Sequence, residues 1–164
     1  MAEFIQEISD RDYKKAIAIH YFGYKYTYIN PILGIILLLW LFTTTILVPD
    51  EIGGNTFFLF LLACLLLLRP VFYIQNAFKS IKTYKLTSHE MKVQLTEDNK
   101  ITTTSLGNST TMNLKDLYAY KNSKGFLFLY ASRNQYLILD KKQIPLTVTE
   151  NLLNSLNKLN INKK

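Results

Sequence analysis

Two long apolar stretches of this chain carry no charge, Ile32 to Val48 (ILGIILLLWLFTTTILV) and Phe57 to Leu68 (FFLFLLACLLLL), with basic sequence before the first and after the second. The first, as a helix rising 1.5 Å per residue, reaches about 26 Å, close to the roughly 30 Å of hydrocarbon in a bilayer. The second is short alone, but Val71, Phe72, Tyr73 and Ile74 extend it past Arg69 and Pro70 to about 27 Å. Arg69 then snorkels to the headgroups, and Pro70, which lacks a backbone donor and clashes with the carbonyl four residues back, is expected to bend the helix there. Between the runs, VPDEIGGN at 48 to 55 combines a proline, two glycines and two acids, the composition of a tight turn. The pattern predicts a transmembrane helical hairpin with spans over about 31–48 and 56–74 and a loop over 49–55. A soluble protein of this size has too little other material to cover two helices apolar on every face.

Positive charges orient the hairpin. Arg11, Lys14, Lys15 and Lys25 precede the first span, Arg69, Lys79, Lys82 and Lys85 sit at or beyond the second, and the loop has acids only. The positive-inside rule places both termini in the cytoplasm. Tyr24, Tyr26, Tyr28, Phe72 and Tyr73 suit an interfacial aromatic belt.

Periodicity changes along the rest of the chain. EFIQEI at 3 to 8 reads as a strand, and Ala16, Ile17, His20 and Tyr21 recur at helical spacing after a capping-box-like Ser9 and Asp12. Val71, Ile74, Phe78 and Ile81 step by three or four, so the second span continues as an amphipathic basic helix. Beyond Lys85 the apolar residues alternate: Met91, Val93 and Leu95, then strands over 101–105, 110–114, 116–120, 126–131 and 136–140, with turns between them. After Pro145, the residues Leu152, Leu153, Leu156 and Leu159 line one helical face, with Thr147 or Thr149 as cap. The fold class is therefore an α+β membrane protein. Residues 1–28 form a strand and helix packing with the C-terminal domain; 29–74 form the hairpin; 75–164 form the basic helix, a small antiparallel sheet or half-barrel, and a closing helix.

Chemistry is sparse. The formal charge is +7, and Cys64, inside the second span, is the one cysteine of the sequence. His20 and His89 lie far apart, without clustered carboxylates, and no glycine-rich phosphate loop is present, so neither a metal, a cofactor nor catalysis is expected. Tyr118, Tyr120, Phe126, Phe128, Tyr130 and Tyr136 offer a stacking platform for nucleic acid. Their strand alternation fits core better, so nucleic acid is not an expected partner.

The segments DRDYKKAIAIHYF and GFLFLYASRNQYLIL, in this order around an apolar hairpin, resemble the YcxB-like family of bacterial membrane proteins. The resemblance implies a cytoplasmic domain like the pleckstrin-homology fold and brings no catalytic motif. At Asp140 the chain departs from it, since an apolar-Pro-Lys sequence is expected there and Pro145 comes later. A non-enzymatic bacterial inner-membrane protein follows, whose domain binds a protein partner or anionic headgroups, with Arg69, Lys79, Lys82, Lys85, Lys141 and Lys142 as the electrostatic contacts. An alternative is an immunity protein that neutralises a membrane-directed toxin, acting through Asp50, Glu51 and Gly53 of the far-side loop. The sequence does not fix the oligomeric state: Gly34 and Thr43 to Thr45 permit close helix contact without a clear small-xxx-small repeat.

Overall fold

The computed structural model describes residues 2–47, 54–83, 89–96, 98–133 and 135–164. The chain forms two compact units, Met1–Ala16 with Tyr84–Lys164, and Ile17–Thr83. The architecture is α+β: two long apolar helices stand in the sequence between a first strand and helix and a set of antiparallel strands closed by a C-terminal helix.

Among the described residues the first unit holds seven strands in two sheets. One is ordered β1 (Ala2–Glu7), β2 (Glu90–Leu95), β3 (Lys100–Ser105), β4 (Asn108–Asn113); the other is β5 (Ala119–Asn122), β6 (Phe126–Tyr130), β7 (Tyr136–Asp140). The pairings between these strands are antiparallel. β1 pairs with β2 across the whole hairpin insertion, Phe4 opposite Val93. Its alternation explains the pairing: Phe4, Gln6 and Ile8 are buried while Glu3, Ile5 and Glu7 are exposed.

The core gathers Val93 and Ile101 of the first sheet, Leu127, Leu129 and Leu139 of the second, and Leu152 and Leu156 of the closing helix. That helix spans Leu146–Lys158; Pro145 precedes it without a side-chain cap, and the Thr149 hydroxyl donates back to the Pro145 carbonyl. The expected threonine cap is thus replaced by proline's preset backbone angle at the helix start. All five residues of β6 are buried. Its leucines face the core, and Phe128, stacked on Tyr130 at 6.4 Å, belongs to an aromatic row on the other face that Tyr136 continues. Four of the six aromatics expected as core or platform, Tyr120, Phe126, Phe128 and Tyr130, are buried.

The strand expected over 116–120 starts later. Leu114–Asp116 is a single 3-10 turn, because the Asn113 side chain accepts from the Lys115 N–H and bends the backbone out of the ladder, so β5 begins at Ala119.

Two glutamines tie β1 to the end of β7. Gln6, 1% exposed, donates from Nε2 to the Ile138 carbonyl and accepts at Oε1 from the Asp140 N–H, both at 3.0 Å. Gln143 donates to the Glu7 carbonyl and accepts from its N–H, and also donates to the Asp140 carboxylate. A proline at 140 has no N–H for Gln6, so the departure from the expected family sequence carries a bond of its own.

In the second unit, α1 (Asp10–Tyr21), which starts in the first, leads through a 3-10 turn at Lys25–Tyr28 into α2 (Ile29–Leu47), and α3 runs over Gly54–Thr83 without interruption at Pro70. The closing helix at Leu146–Lys158 is α4. Mean hydropathies of 2.0 and 2.4 and lengths of 22 and 28 residues make Tyr26–Leu47 and Asn55–Lys82 long and apolar enough to cross a membrane. Only 11% of each apolar window is buried, whereas a soluble core helix would be mostly covered. Leu39, Trp40, Phe42, Phe57, Phe58 and Leu65 are among the large apolar side chains left at least half exposed. The hydroxyls of Thr43, Thr44 and Thr45 all donate to carbonyls of their own helix at 2.8–3.0 Å, so each is satisfied within α2. Where the helices meet, Gly34 is buried, and a Cβ there would lie 2.9 Å from Leu67 Cγ and 3.0 Å from the Ala63 carbonyl oxygen. Tyr21 and Tyr73, with ring centroids 4.6 Å apart, form an aromatic contact at the end of the hairpin where Tyr28 and Phe72 are exposed.

Candidate functional site

The cations expected to contact a partner belong to both units. Arg69, Lys79 and Lys82 are exposed on α3, and Lys85 lies outside the described residues, as do Asp50, Glu51 and Gly53. In the other unit Lys142 is exposed. The Lys141 ammonium is engaged inside the domain, donating to Asn122 Oδ1 at 3.0 Å and to the Ser123 carbonyl at 3.2 Å, which pins the β5–β6 turn.

A different place in the β unit is built like a binding site. A cleft of about 430 Å³ is lined by both sheets and by the segment from Gln6 to Tyr13. Its floor is apolar and buried, with Ile8, Ile101 and Ile138; Met91, Met112 and Leu137 form half-buried walls; Asn108, Thr110 and Gln135 stand exposed at the mouth. Methionine walls adapt to irregular apolar shapes. Among the described residues no lysine, arginine, aspartate or glutamate lines the cleft, in a chain that is 19% charged. Tyr13, His89 and Tyr136 are its titratable side chains, and burial pushes the Tyr13 phenol above its ordinary value.

Strand alternation positions these residues. Ile101 and Thr103 of β3 lie opposite Met112 and Thr110 of β4, so four cleft residues share one face of the hairpin. On the other face Thr102 pairs hydroxyls with Thr111 at 3.0 Å, and Thr104 with Ser109 at 3.2 Å. The hairpin turns through two residues with positive φ, Leu106 at 51° and Gly107 at 79°, the signature of a type I′ turn.

Residues 97–159 match the family model of YcxB-like proteins. The resemblance read from the sequence therefore holds for the stretch from β3 through α4. No curated protein and no solved structure matches the chain. The YcxB-like stretch supplies Ile101, Asn108, Thr110, Met112 and Ile138 to the cleft, and Gln6, Ile8, Tyr13, His89 and Met91 come from outside it. Sequence reading missed the site for that reason: Tyr13 and His89 carry no local motif, and the pairing of β1 with β2 is what brings their segments to one cleft. The nearest signal was the uncharged run from Ile101 to Leu114, which contains no lysine, acid or arginine in a basic chain.

Elsewhere in the β unit, Lys164 Nζ sits 4.2 Å from the Tyr130 ring centroid and 4.9 Å from that of Tyr118, and Lys121 lies 5.9 Å from Phe128. Desolvation, and after it the neighbouring Lys164 charge, lower the Lys121 pKa. These ammonium groups cover aromatic faces, a structural use of charge.

Proposed function

We propose that this protein is a non-enzymatic membrane anchor and adaptor of a bacterial inner membrane, in which α2 and α3 span the bilayer, both termini are cytoplasmic, and the β unit binds a protein partner. The observation that carries the reading is the exposure of apolar side chains on α2 and α3, since so much apolar surface on a helical pair calls for lipid around it. The thirty residues of α3 measure about 45 Å at 1.5 Å each, more than hydrocarbon alone accommodates. The excess falls on the polar end with Lys79 and Lys82, which supports a basic, cytoplasmic exit. A small antiparallel β unit closed by a C-terminal helix agrees with the pleckstrin-homology-like fold that the family resemblance implied. Partner binding, rather than headgroup binding, is favoured because Lys141 is engaged inside the domain while the cleft lining carries no lysine, arginine, aspartate or glutamate.

The test is thiol labelling in intact cells with a membrane-impermeant reagent, on a Cys64→Ser background with one cysteine at Asn55 or at Ser123. Labelling of Asn55→Cys from outside, with Ser123→Cys reached only after lysis, is the expected result. Labelling of Ser123→Cys in intact cells would overturn the cytoplasmic placement, and equal labelling of both before lysis would overturn the hairpin.

A further inference from the structure

Four strands end the two sheets; among the described residues β7 and β5 have partners on their outer edges, and β1 carries the charges of Glu3 and Glu7, with the Glu7 backbone held by Gln143. The β7 edge is met by Gln6, whose side chain takes up the Ile138 carbonyl and the Asp140 N–H, and the same contact ties in β1. The β5 edge is covered by the C-terminal segment: the Tyr120 N–H donates to the Asn162 carbonyl and the Lys164 N–H to the Tyr120 carbonyl, making a parallel bridge. That leaves β4.

Its register defines what it offers. In a two-residue hairpin the pair flanking the turn, Ser105 and Asn108, exchanges backbone hydrogen bonds, and such pairs alternate along the ladder. The Leu114 N–H bond to the Asn99 carbonyl, 2.8 Å, keeps the same parity at the far end. Asn108, Thr110 and Met112 therefore bond inward to β3, and the backbone groups of Ser109 and Thr111 point away from the sheet. Among the described residues nothing pairs with them, and residues 108–111 are exposed. Proteins usually blunt such an edge with lysine, proline, a bulge or a covering segment. β4 reads NSTTMN, without charge or proline, in unbroken register over six residues.

Two further features point to an occupant. The side chains of Asn108, Thr110 and Met112 line the cleft, so a strand added beside β4 would direct alternate side chains toward the same uncharged hollow. Leu106, at the turn beside this edge, holds a left-handed backbone that disfavours a residue with a side chain, and it is 57% exposed. Apolar surface kept at a strained position is the kind of feature that serves a contact.

We propose that β4 accepts an extended segment of a partner protein by strand addition, its backbone bonding to Ser109 and Thr111 and its apolar side chains, at every second position, entering the cleft. This rests on the reading of the β unit as a binding module and names the surface and the class of partner. The probe is a displayed library of ten-residue peptides selected against the full-length protein in lipid nanodiscs. Thr111→Pro removes an outward N–H and leaves the ladder to β3 intact, a place where an edge strand tolerates proline. Selected peptides should alternate apolar residues, bind Thr111→Pro at least tenfold more weakly, and slow amide exchange at Ser109 and Thr111. Exchange in β6 of the variant should match the parent, which separates loss of the edge from loss of the fold. If exchange in β6 of Thr111→Pro rises, Ser109→Lys, whose side chain lies on the face away from the cleft, takes its place with the same tenfold criterion. Peptides that bind parent and variant alike would overturn the edge while leaving a binding module in place; a library without binders would overturn both. A dimer of the parent that Thr111→Pro converts to monomer without peptide would overturn the partner-protein assignment in favour of a second copy.

Discussion

Replacing Gln6 by leucine should cost roughly 2–4 kcal/mol of stability, the sum of leaving a buried carbonyl and a buried N–H without partners. The reason is placement. Gln6 is buried between β1 and β7, and its amide serves the Ile138 carbonyl and the Asp140 N–H at once. Leucine fills a similar volume and bonds to neither, so both backbone groups keep the cost of leaving water without the bonds that offset it. Ile5→Val, one position away on the exposed face, should change stability by less than about 0.5 kcal/mol. Urea titration of both variants in mild detergent, followed by tyrosine circular dichroism, measures the difference; equal midpoints would show that Gln6 does not hold the sheets together.

Gly34→Leu is expected to separate α2 from α3, at a cost of about 1–3 kcal/mol from overpacking. A Cβ at residue 34 would come within 3.0 Å of the Ala63 carbonyl oxygen, which is backbone and moves only with the helix, while Leu67 Cγ at 2.9 Å has rotamer freedom. Even Gly34→Ala, whose Cβ also lies 3.2 Å from Leu66 Cβ, must shift α3 by a few tenths of an ångström, and the branched side chain of leucine needs more room still. Helix pairing in a bilayer depends on such close approach, because lipid tails are as apolar as the side chains they replace. Thermal unfolding in detergent, read by the fluorescence of the single tryptophan, Trp40, should show the order parent, Gly34→Ala, Gly34→Leu from most to least stable. A Gly34→Leu midpoint equal to the parent's would remove Gly34 from the helix contact.

These two variants also mark what was legible in the sequence. The apolar helices were readable because a long uncharged run, apolar on every face, needs either lipid or a core larger than this chain can build. α2 falls within two residues of the expected span at each end. The strands from β2 onward were readable from alternation and turn residues, with β5 displaced because a single Asn113 side chain redirects the backbone after β4. Gly34 was visible as a small residue in an apolar run; which residues it meets was not. Gln6 gave no signal, since a glutamine in an alternating strand reads as a surface residue until β7 is placed beside it. The cleft was illegible for the same reason: Tyr13, His89 and Ile138 belong to segments joined only by the pairing of β1 with β2 and by the Gln6 contact. Pairwise tertiary placement, not local propensity, creates both features.

Charge alone misleads at one adjacent pair of lysines. Lys141 and Lys142 are neighbours in sequence, yet Lys141 closes a turn inside the domain while Lys142 faces solvent. Their places in the turn that follows β7 separate their roles.

The central claim is that α2 and α3 lie in lipid, and Trp40 reports on it directly. It sits in the twelfth position of the nineteen in α2 and is 52% exposed. With the full-length protein in liposomes, Trp40 emission is measured against phospholipids brominated along the acyl chain and against aqueous iodide. Strong quenching by the brominated chains with protection from iodide is the result expected; quenching by iodide without an effect of bromination would contradict a membrane-spanning hairpin.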